Sequence, residues 1–389
     1  MSCGICSERC PRETAHSDQS AKDATVPRWL TTLTCLHADD ASGRDSSATH
    51  SRPEFLIDRI LVRSHVSTSV DHLVDTHKLR CRAARRDPGG GGINVARVAH
   101  RLGADCVAVY LAGGTLGREL QQHLDAERVP AVCIGIGGDT RENFTVKETA
   151  TGHEYRFVLP GPVVTDAEWQ RVHDYLDALH DPPRYVVLSG SLPPGVPASA
   201  YAQFATQAAA RGARVVVDTS GPALAAALEV GVYLVKPSLG ELRALVGRPL
   251  ADEADWRRAA SELVAAGRAE VVVLTLGAHG AMLATADGTL RAPAWPVPVK
   301  SAIDAGDSFV AAMVYALARG AERTDAFRYA LALAAASATL QREGTAQCDA
   351  ADVAVLHAAI RAGMTIGAQP PEARGAALFD GNRPDAGAA

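Results

Sequence analysis

Val232-Tyr-Leu-Val-Lys-Pro-Ser-Leu-Gly-Glu241 is the segment that decides the fold class. Its first four residues form an apolar run of strand length, which is followed at once by a lysine and by turn residues. The surrounding chain repeats this pattern at Tyr185-Val-Val-Leu188, Arg214-Val-Val-Val217 and Val271-Val-Val-Leu274, with helical stretches at residues 199–211 and 253–267 between the runs. Continuous apolar strands that alternate with helices predict an α/β fold with a largely parallel sheet covered on both faces.

Four segments with alternating polar and apolar residues lie apart from this pattern. They cover residues 67–74, 78–85, 143–148 and 154–159. A period of two is typical of strands that bury one face only. We therefore expect a small antiparallel sheet beside the main domain, with one face free to cover a site or a partner.

Composition limits the classes of function. The chain has 389 residues, a net charge of −5 and no basic block, which argues against nucleic acid as a partner. It has no run of ~18 apolar residues that would cross a membrane, and its start lacks the apolar region of a secretory signal, so we expect a cytoplasmic protein. We expect residues 1–54 to be disordered or a mis-assigned N-terminal extension, and residues 363–389 to be a disordered tail.

Three cysteines near the start, Cys3, Cys6 and Cys10, have a spacing that invites a metal site. No complete set of four ligands follows nearby, although Cys35 and His37 could be recruited. A flexible tail with incidental thiols is the favoured interpretation.

The strongest local signal is the glycine run in Pro88-Gly-Gly-Gly-Gly-Ile-Asn-Val-Ala-Arg97. Glycines that lead into a helix let backbone amides approach a ligand closely, and Asn94 adds a donor and an acceptor on the first turn. The alternative is an ordinary flexible loop. No Gly-Lys-Ser/Thr follows, so the segment is not a Walker A loop.

A second turn of small residues is found in Ser301-Ala-Ile-Asp-Ala-Gly-Asp-Ser-Phe309, before an apolar helix at residues 310–317. The N-terminus of such a helix directs several N–H groups at one point, which suits a phosphoryl group in transfer. Asp307 could act there as a base toward a hydroxyl. Alternatively, Asp307 is simply the N-cap of the helix.

Two further segments follow apolar strands directly. Lys236 and Glu241 lie where open α/β sheets bind ligands, and Glu241 could hold Mg²⁺ through water. Thr275-Leu-Gly-Ala-His-Gly280 supplies glycines that would let a nucleotide phosphate lie close to the chain. The structural alternatives are a surface ion pair and an ordinary β-turn.

Together and in this order, these segments resemble the ribokinase-like (PfkB) carbohydrate kinases over roughly residues 66–360, and within them the 6-phosphofructokinase subgroup. Lys78-Leu-Arg-Cys81, Tyr155-Arg-Phe-Val-Leu-Pro160 and Ser189-Gly-Ser-Leu-Pro-Pro-Gly195 carry the same resemblance. It implies a three-layer sandwich with a mostly parallel central sheet and a small antiparallel lid that also forms a homodimer interface. The kinase domain would span residues 55–362, with lid strands within 66–86 and 143–160.

The resemblance implies transfer of a phosphoryl group from ATP, with Mg²⁺, to the C1 hydroxyl of fructose 6-phosphate. Relatives that act on fructose 1-phosphate or tagatose 6-phosphate usually carry a lysine in the glycine run, where this chain has Gly91 or Gly92. Activity on those substrates stays an alternative, as does a weakened protein that only binds sugar phosphates or nucleotides.

The family roles carry over to matching residues. Asp307 corresponds to the catalytic base, and the amides of Ala305 and Gly306, together with that of Asp307, correspond to the anion hole. The other roles divide into sugar-phosphate ligands (Lys78, Gly90, Gly91, Asn94, Arg141, Asn143), ATP ligands (Lys236, Ser238, Thr275, Gly277, Gly280) and the Mg²⁺ shell (Glu241).

Three positions depart from the family pattern. His65 stands where the family has an aspartate that binds sugar hydroxyls, and a neutral His is a poorer acceptor. Ser238 replaces an asparagine, and Asp304 replaces a glycine in the turn before Asp307. If Asp304 points inward, its charge disfavours a phosphoryl group by about 1 kcal/mol or more.

Overall fold

The computed structural model describes residues 55–59, 63–295, 297 and 304–339. The predictions for residues 1–54 and 363–389, including those for Cys3, Cys6 and Cys10, lie outside the described residues. None of the helices in the described part combines the length and the hydropathy needed to cross a membrane.

The described strands form two sheets. In chain order they are β1 (Phe55–Arg59), β2 (Arg63–Val70), β3 (Arg85–Gly89), β4 (Cys106–Ala112), β5 (Ala131–Gly135), β6 (Arg141–Glu148), β7 (Glu154–Phe157), β8 (Tyr185–Ser189), β9 (Arg214–Asp218), β10 (Val232–Val235), β11 (Ala269–Thr275), β12 (Ala281–Thr285) and β13 (Gly288–Ala292). The helices are α1 (Gly91–Arg101), α2 (Gly114–Ala126), α3 (Asp166–Ala178), α4 (Ala200–Ala210), α5 (Gly221–Glu229), α6 (Leu239–Val246), α7 (Glu253–Ala265), α8 (Ala305–Ala318) and α9 (Arg323–Thr339).

The large sheet has the strand order β13-β12-β11-β10-β9-β8-β1-β4-β5. All neighbours from β11 to β5 pair in parallel, and β12 and β13 add an antiparallel edge. The strand order reverses at β1, which lies between β4 and β8. Open α/β sheets bind ligands at such a reversal, outside the carboxyl ends of the strands.

Helices cover both faces of the large sheet. Successive side chains of a strand point to opposite faces, so the apolar strands need cover on both. Phe55, Ile57 and Val187 face Val95 of α1 and Val314 of α8. Their neighbours in the strands point to the opposite face and pack with α3, α4 and α5, as shown by the buried cluster of Leu56, Val186, Leu188, Trp169, Phe204 and Leu224. Full burial of each such side chain contributes about 1.5–3 kcal/mol. The predicted α/β sandwich is confirmed, and the strands and helices predicted for the large sheet and its cover are found within a few residues of their expected bounds.

The small sheet, which is called the lid below, has the strand order β3-β2-β6-β7. Its two outer pairs are antiparallel, whereas its central strands β2 and β6 run parallel. The lid begins shortly after β1 and β5 of the large sheet, and β3 leads directly into α1. The chain connections therefore attach the lid beside the strand reversal.

The prediction of a strand at Lys78–Arg85 is wrong. Residues 71–84 form an irregular segment with exposed side chains, and the lid strand is Arg85–Gly89 instead. The segment buries no apolar face, so its alternating pattern has nothing to pack against. Thr76 adopts a φ of 59°, which turns the chain away from a strand path. The first lid strand likewise begins at Arg63 and ends at Val70, earlier than the expected 67–74.

Candidate functional site

Helix α8 begins at Ala305, and its first turn carries Gly306 and Asp307. Asp304 is the N-cap, with φ 64° and ψ 4°, and its side chain makes no capping hydrogen bond. The alternative that Asp307 caps this helix is therefore wrong. The first amides of a helix have no partner within it and carry partial positive charge, so this end can bind an anion.

Asn94 lies against Asp307 although 213 residues separate them. Its Nδ2 donates a hydrogen bond of 2.8 Å to Asp307 Oδ2. Asn94 is completely buried on α1, and its backbone N–H donates to the carbonyl of Gly90, the N-cap of that helix. Gly90 has φ 127°, a conformation open mainly to glycine. The two glycine-containing turns thus meet at one carboxylate.

Lys236 forms a buried ion pair with Asp218. Its Nζ lies 3.0 Å from Asp218 Oδ1, at the carboxyl ends of the neighbouring strands β10 and β9. A Cβ placed on Gly306 would lie 3.8 Å from the same Nζ. The ammonium is therefore next to the start of α8.

Burial and neighbouring charges shift the pKa of both partners. Burial alone would lower the pKa of Lys236, but the nearby carboxylates of Asp218, Glu241 and Asp307 outweigh burial and raise it. Burial raises the pKa of Asp218 to about 6, and the attraction of Lys236 offsets only part of that effect. Above pH 6, both shifts leave Asp218 as a carboxylate that faces the ammonium of Lys236. The ordinary surface ion pair considered for Lys236 is excluded, because its side chain is only 9% exposed.

Ser238 and Glu241 cap helix α6 reciprocally. The Ser238 N–H donates to Glu241 Oε2 at 2.7 Å, and the Glu241 N–H donates to Ser238 Oγ at 3.2 Å. Ser238 also bridges to Thr275 at the end of β11. The two segments expected to bind ATP are thus adjacent, and Ser238 has a structural role in holding Glu241.

The two glycines of the turn after β11 have different surroundings. Gly277 has φ +56°, and a Cβ there would meet nothing within 4 Å. A Cβ on Gly280 would lie 2.3 Å from the Ala292 carbonyl oxygen and 2.4 Å from the Ala294 nitrogen. Gly280 is therefore required by backbone packing, whereas the side of Gly277 is open for a ligand.

In the lid, Arg141 and Asn143 lie on one face of β6 and contact the same residue. Arg141 Nη1 donates to the Leu159 carbonyl at 3.3 Å, and the Leu159 N–H donates to Asn143 Oδ1 at 3.1 Å. Lys78 is exposed in the segment 71–84. His65 pairs in register with Asn143 and is 5% exposed, so the position of the missing family aspartate lies on this same face.

Comparison with known proteins decides the family. The model of the pfkB family of carbohydrate kinases matches residues 57–351. This chain belongs to that family. It is 44% identical over 288 residues to ATP-dependent 6-phosphofructokinase isozyme 2 of Mycobacterium tuberculosis, a match that covers 74% of this chain and 84% of that protein. It is 38% identical over 244 residues to 1-phosphofructokinase of Xanthomonas campestris pv. campestris, which covers 61% and 76%.

The fold of this pfkB kinase matches a crystal structure of phosphofructokinase-2 from Escherichia coli in complex with fructose-6-phosphate. The TM-score is 0.73 at 36% identity, over 79% of this chain and 98% of that one. This chain is accordingly an ATP-dependent sugar kinase, and its homologues support a sugar phosphate as the acceptor.

Asp218, the partner of Lys236, was not identified from the sequence. The pattern did contain a signal, because Asp218 ends the β-branched run Arg214–Asp218 and precedes Thr219-Ser-Gly221. A carboxylate at the carboxyl end of a parallel strand lies where such sheets bind ligands. Its pairing with Lys236 could not be seen, because the strand order was unknown.

Proposed function

We propose that this kinase transfers the γ-phosphoryl group of ATP to the C1 hydroxyl of fructose 6-phosphate and yields fructose 1,6-bisphosphate. The observation that carries the proposal is the contact between Asn94 and Asp307 at the start of α8, with the Lys236 ammonium beside it. A base, an anion-binding helix end and a fixed cation in one place are what in-line phosphoryl transfer needs. We propose that the kinase domain spans residues 55–362 and acts in the cytoplasm.

Asp307 would accept the proton of the attacking hydroxyl. The hydrogen bond from Asn94 holds Oδ2 in place, and Oδ1 would accept the proton. The amides of Ala305, Gly306 and Asp307 would stabilise the charge on the equatorial oxygens, since donors fixed in advance need no reorganisation during the reaction. Lys236 would add a positive charge on the same side, held by Asp218.

The donor set at this edge of the sheet fits Mg²⁺. Glu241 lies in the first turn of α6, which follows β10, and Asp218 ends the neighbouring strand β9. No cluster of three or more candidate metal ligands occurs among the residues that the structure describes. Mg²⁺ bound with a nucleotide usually needs only one or two carboxylates, because phosphates and waters complete its shell. Glu241 would hold the ion, which would neutralise charge on the ATP phosphates.

The glycine run and the lid support fructose 6-phosphate as the acceptor. Gly90 and Gly91 would let backbone amides approach the sugar, and neither carries a side chain that would bind a 1-phosphate. Lys78 and Arg141 would bind the 6-phosphate, with Asn143 nearby. The E. coli structure with fructose-6-phosphate supports this choice by similarity. Because this chain is also similar to a 1-phosphofructokinase, the test includes fructose 1-phosphate as an alternative acceptor.

A homodimer through the lid is the proposed assembly. Large apolar side chains are exposed on the lid and its connecting segments, among them Leu73 (38%), Tyr155 (36%), Phe157 (48%), Val158 (66%) and Leu159 (42%). Large apolar side chains exposed in this way are typical of an interface. Sedimentation of the purified protein should give a dimer, and Phe157→Glu should shift it toward the monomer. A monomeric wild-type protein at micromolar concentration would contradict this assembly.

A coupled assay with ATP, Mg²⁺ and a panel of sugar phosphates tests the reaction. We expect ADP release with fructose 6-phosphate above that with fructose 1-phosphate or tagatose 6-phosphate. Asp307→Asn should lower kcat by several orders of magnitude while ATP binding stays within about twofold, because the base acts only in transfer. ATP binding without ADP release on any sugar phosphate would instead indicate a weakened binding protein.

A further inference from the structure

One face of the lid carries a row of buried polar side chains. His65 on β2 is the register partner of Asp87 on β3 and of Asn143 on β6. Cross-strand partners project from the same face of a sheet, so the three side chains form one row. Asp87 and Asn143 are each 4% exposed and His65 is 5% exposed. Polar groups are rarely buried together unless each one has a partner.

Asp87 is only half satisfied. Its Oδ1 accepts a hydrogen bond of 3.0 Å from Arg85 Nε and lies 2.9 Å from Arg85 Nη2. Its Oδ2 is buried and has no hydrogen-bond partner among the described residues. An ionised carboxylate can accept about four hydrogen bonds. A buried oxygen without any partner costs about 1–3 kcal/mol, so this atom calls for an explanation.

A second unpartnered atom lies on the same face. Thr145, two residues after Asn143 on β6, is 5% exposed, and its Oγ1 has no partner in the part of the chain that the structure describes. Arg141, two residues before Asn143, belongs to this face as well. The face therefore combines a guanidinium, a carboxylate oxygen, an amide and a hydroxyl. This chemistry suits a ligand that has both hydroxyl groups and an anionic group.

The position of Asp87 in the chain connects this face to the site. Asp87 is three residues before Gly90, and the strand that carries it leads into α1, where Asn94 contacts Asp307. The carboxylate thus stands at the entrance of the glycine run proposed to hold the sugar. His65, at the centre of the row, has no carboxylate that could accept a hydrogen bond from a hydroxyl group.

We propose that Asp87 is a substrate-binding residue whose Oδ2 accepts a hydrogen bond from a hydroxyl group of the sugar phosphate. This inference rests on the proposed function, since it assumes that the lid covers a sugar phosphate. Asp87 thereby supplies from β3 the acceptor that position 65 of β2 lacks. The contacts with Arg85 hold the carboxylate through Oδ1, so Oδ2 stays available.

The test is a calorimetric titration of fructose 6-phosphate into the full-length protein without ATP, for the wild type and for Asp87→Asn. We expect Asp87→Asn to weaken binding about tenfold or more, because an amide replaces an anionic acceptor. Glu142→Gln is the matched control: Glu142 also pairs with an arginine of β3, Arg86, at 3.1 Å, but projects from the opposite face. It should change binding less than twofold. ATP affinity should stay unchanged in both variants.

Arg85→Gln separates substrate binding from a structural role. If Asp87 serves only its pair with Arg85, Asp87→Asn and Arg85→Gln lower the melting temperature alike. Both variants then bind the sugar phosphate as tightly as the control does, and this result overturns the inference. A wild-type protein that binds no sugar phosphate also overturns it. A wild-type protein that binds fructose 6-phosphate but does not phosphorylate it refutes the proposed reaction alone, and the comparison of variants still decides the role of Asp87.

Discussion

Replacing Lys236 with methionine removes one buried charge and keeps an unbranched side chain of similar length. In the folded protein Nζ lies 3.0 Å from Asp218 Oδ1 and 3.8 Å from where a Cβ of Gly306 would be. The substitution therefore has two separable consequences. It leaves Asp218 without its counter-ion, and it removes a positive charge from the proposed path of the phosphoryl group.

The first magnitude comes from the buried ion pair, and the second is that of a phosphoryl oxygen bound about 4 Å from the ammonium. Removing one partner of a buried ion pair lowers the free energy of unfolding by about 3–5 kcal/mol. A charge at 4 Å from a phosphoryl oxygen contributes about 4 kcal/mol at an effective dielectric constant near 20. If that stabilisation is gained mainly in the transition state, Lys236→Met lowers kcat by roughly three orders of magnitude.

The assay is a double-mutant cycle with Asp218→Asn. Urea unfolding gives the free energy of unfolding, and the coupled assay gives kcat for the wild type, both single variants and the double variant. We expect the double variant to recover most of the lost stability, because no uncompensated charge remains buried. Its kcat should stay as low as that of Lys236→Met, because the second substitution does not restore the cation.

Two results would refute the reasoning. If Lys236→Met keeps more than a tenth of the wild-type kcat, the ammonium does not act on the transferred group. If the double variant regains turnover together with stability, Lys236 serves only to neutralise Asp218. In either case the positive charge at this site would have to come from another group.

Three further predictions address the same site. Asp304→Asn removes a negative charge beside the helix end and keeps a residue that tolerates φ 64°, so kcat should rise several-fold with little change in melting temperature; a fall in kcat would contradict this. The pKa of Asp218 is raised from 3.8 to about 6, so between these pH values the folded protein holds a proton that the unfolded chain has lost. In urea titrations the free energy of unfolding should therefore fall by about 3 kcal/mol, relative to Asp218→Asn, as the pH rises from 4 to 6. Parallel pH profiles would refute the shift. Gly280→Ala should lower the melting temperature far more than Gly277→Ala, since only the first places a Cβ 2.3 Å from a backbone oxygen, and equal losses would contradict the packing argument.

The sequence was sufficient for the elements whose signal is local. Apolar β-branched runs such as Val232–Val235 predicted buried parallel strands, because a strand covered on both faces needs apolar residues at every position. The turn before α8 was predicted from small residues that precede an apolar helix, and the structure has that helix at Ala305–Ala318. The alternation at Lys78–Arg85 failed as a predictor, since a period of two makes a strand only where one face is buried.

By itself the sequence determined the α/β class, the glycine turns and the residue types available for phosphoryl transfer, because each of these is written in a short stretch of chain. Only the tertiary structure decided which of them meet. The contact of Asn94 with Asp307 spans 213 residues, and the pairing of Lys236 with Asp218 depends on the adjacency of β10 and β9. Asp87 stands out only through its register with His65 and its burial. These relations are set by strand order and packing, and no local pattern of residues encodes them.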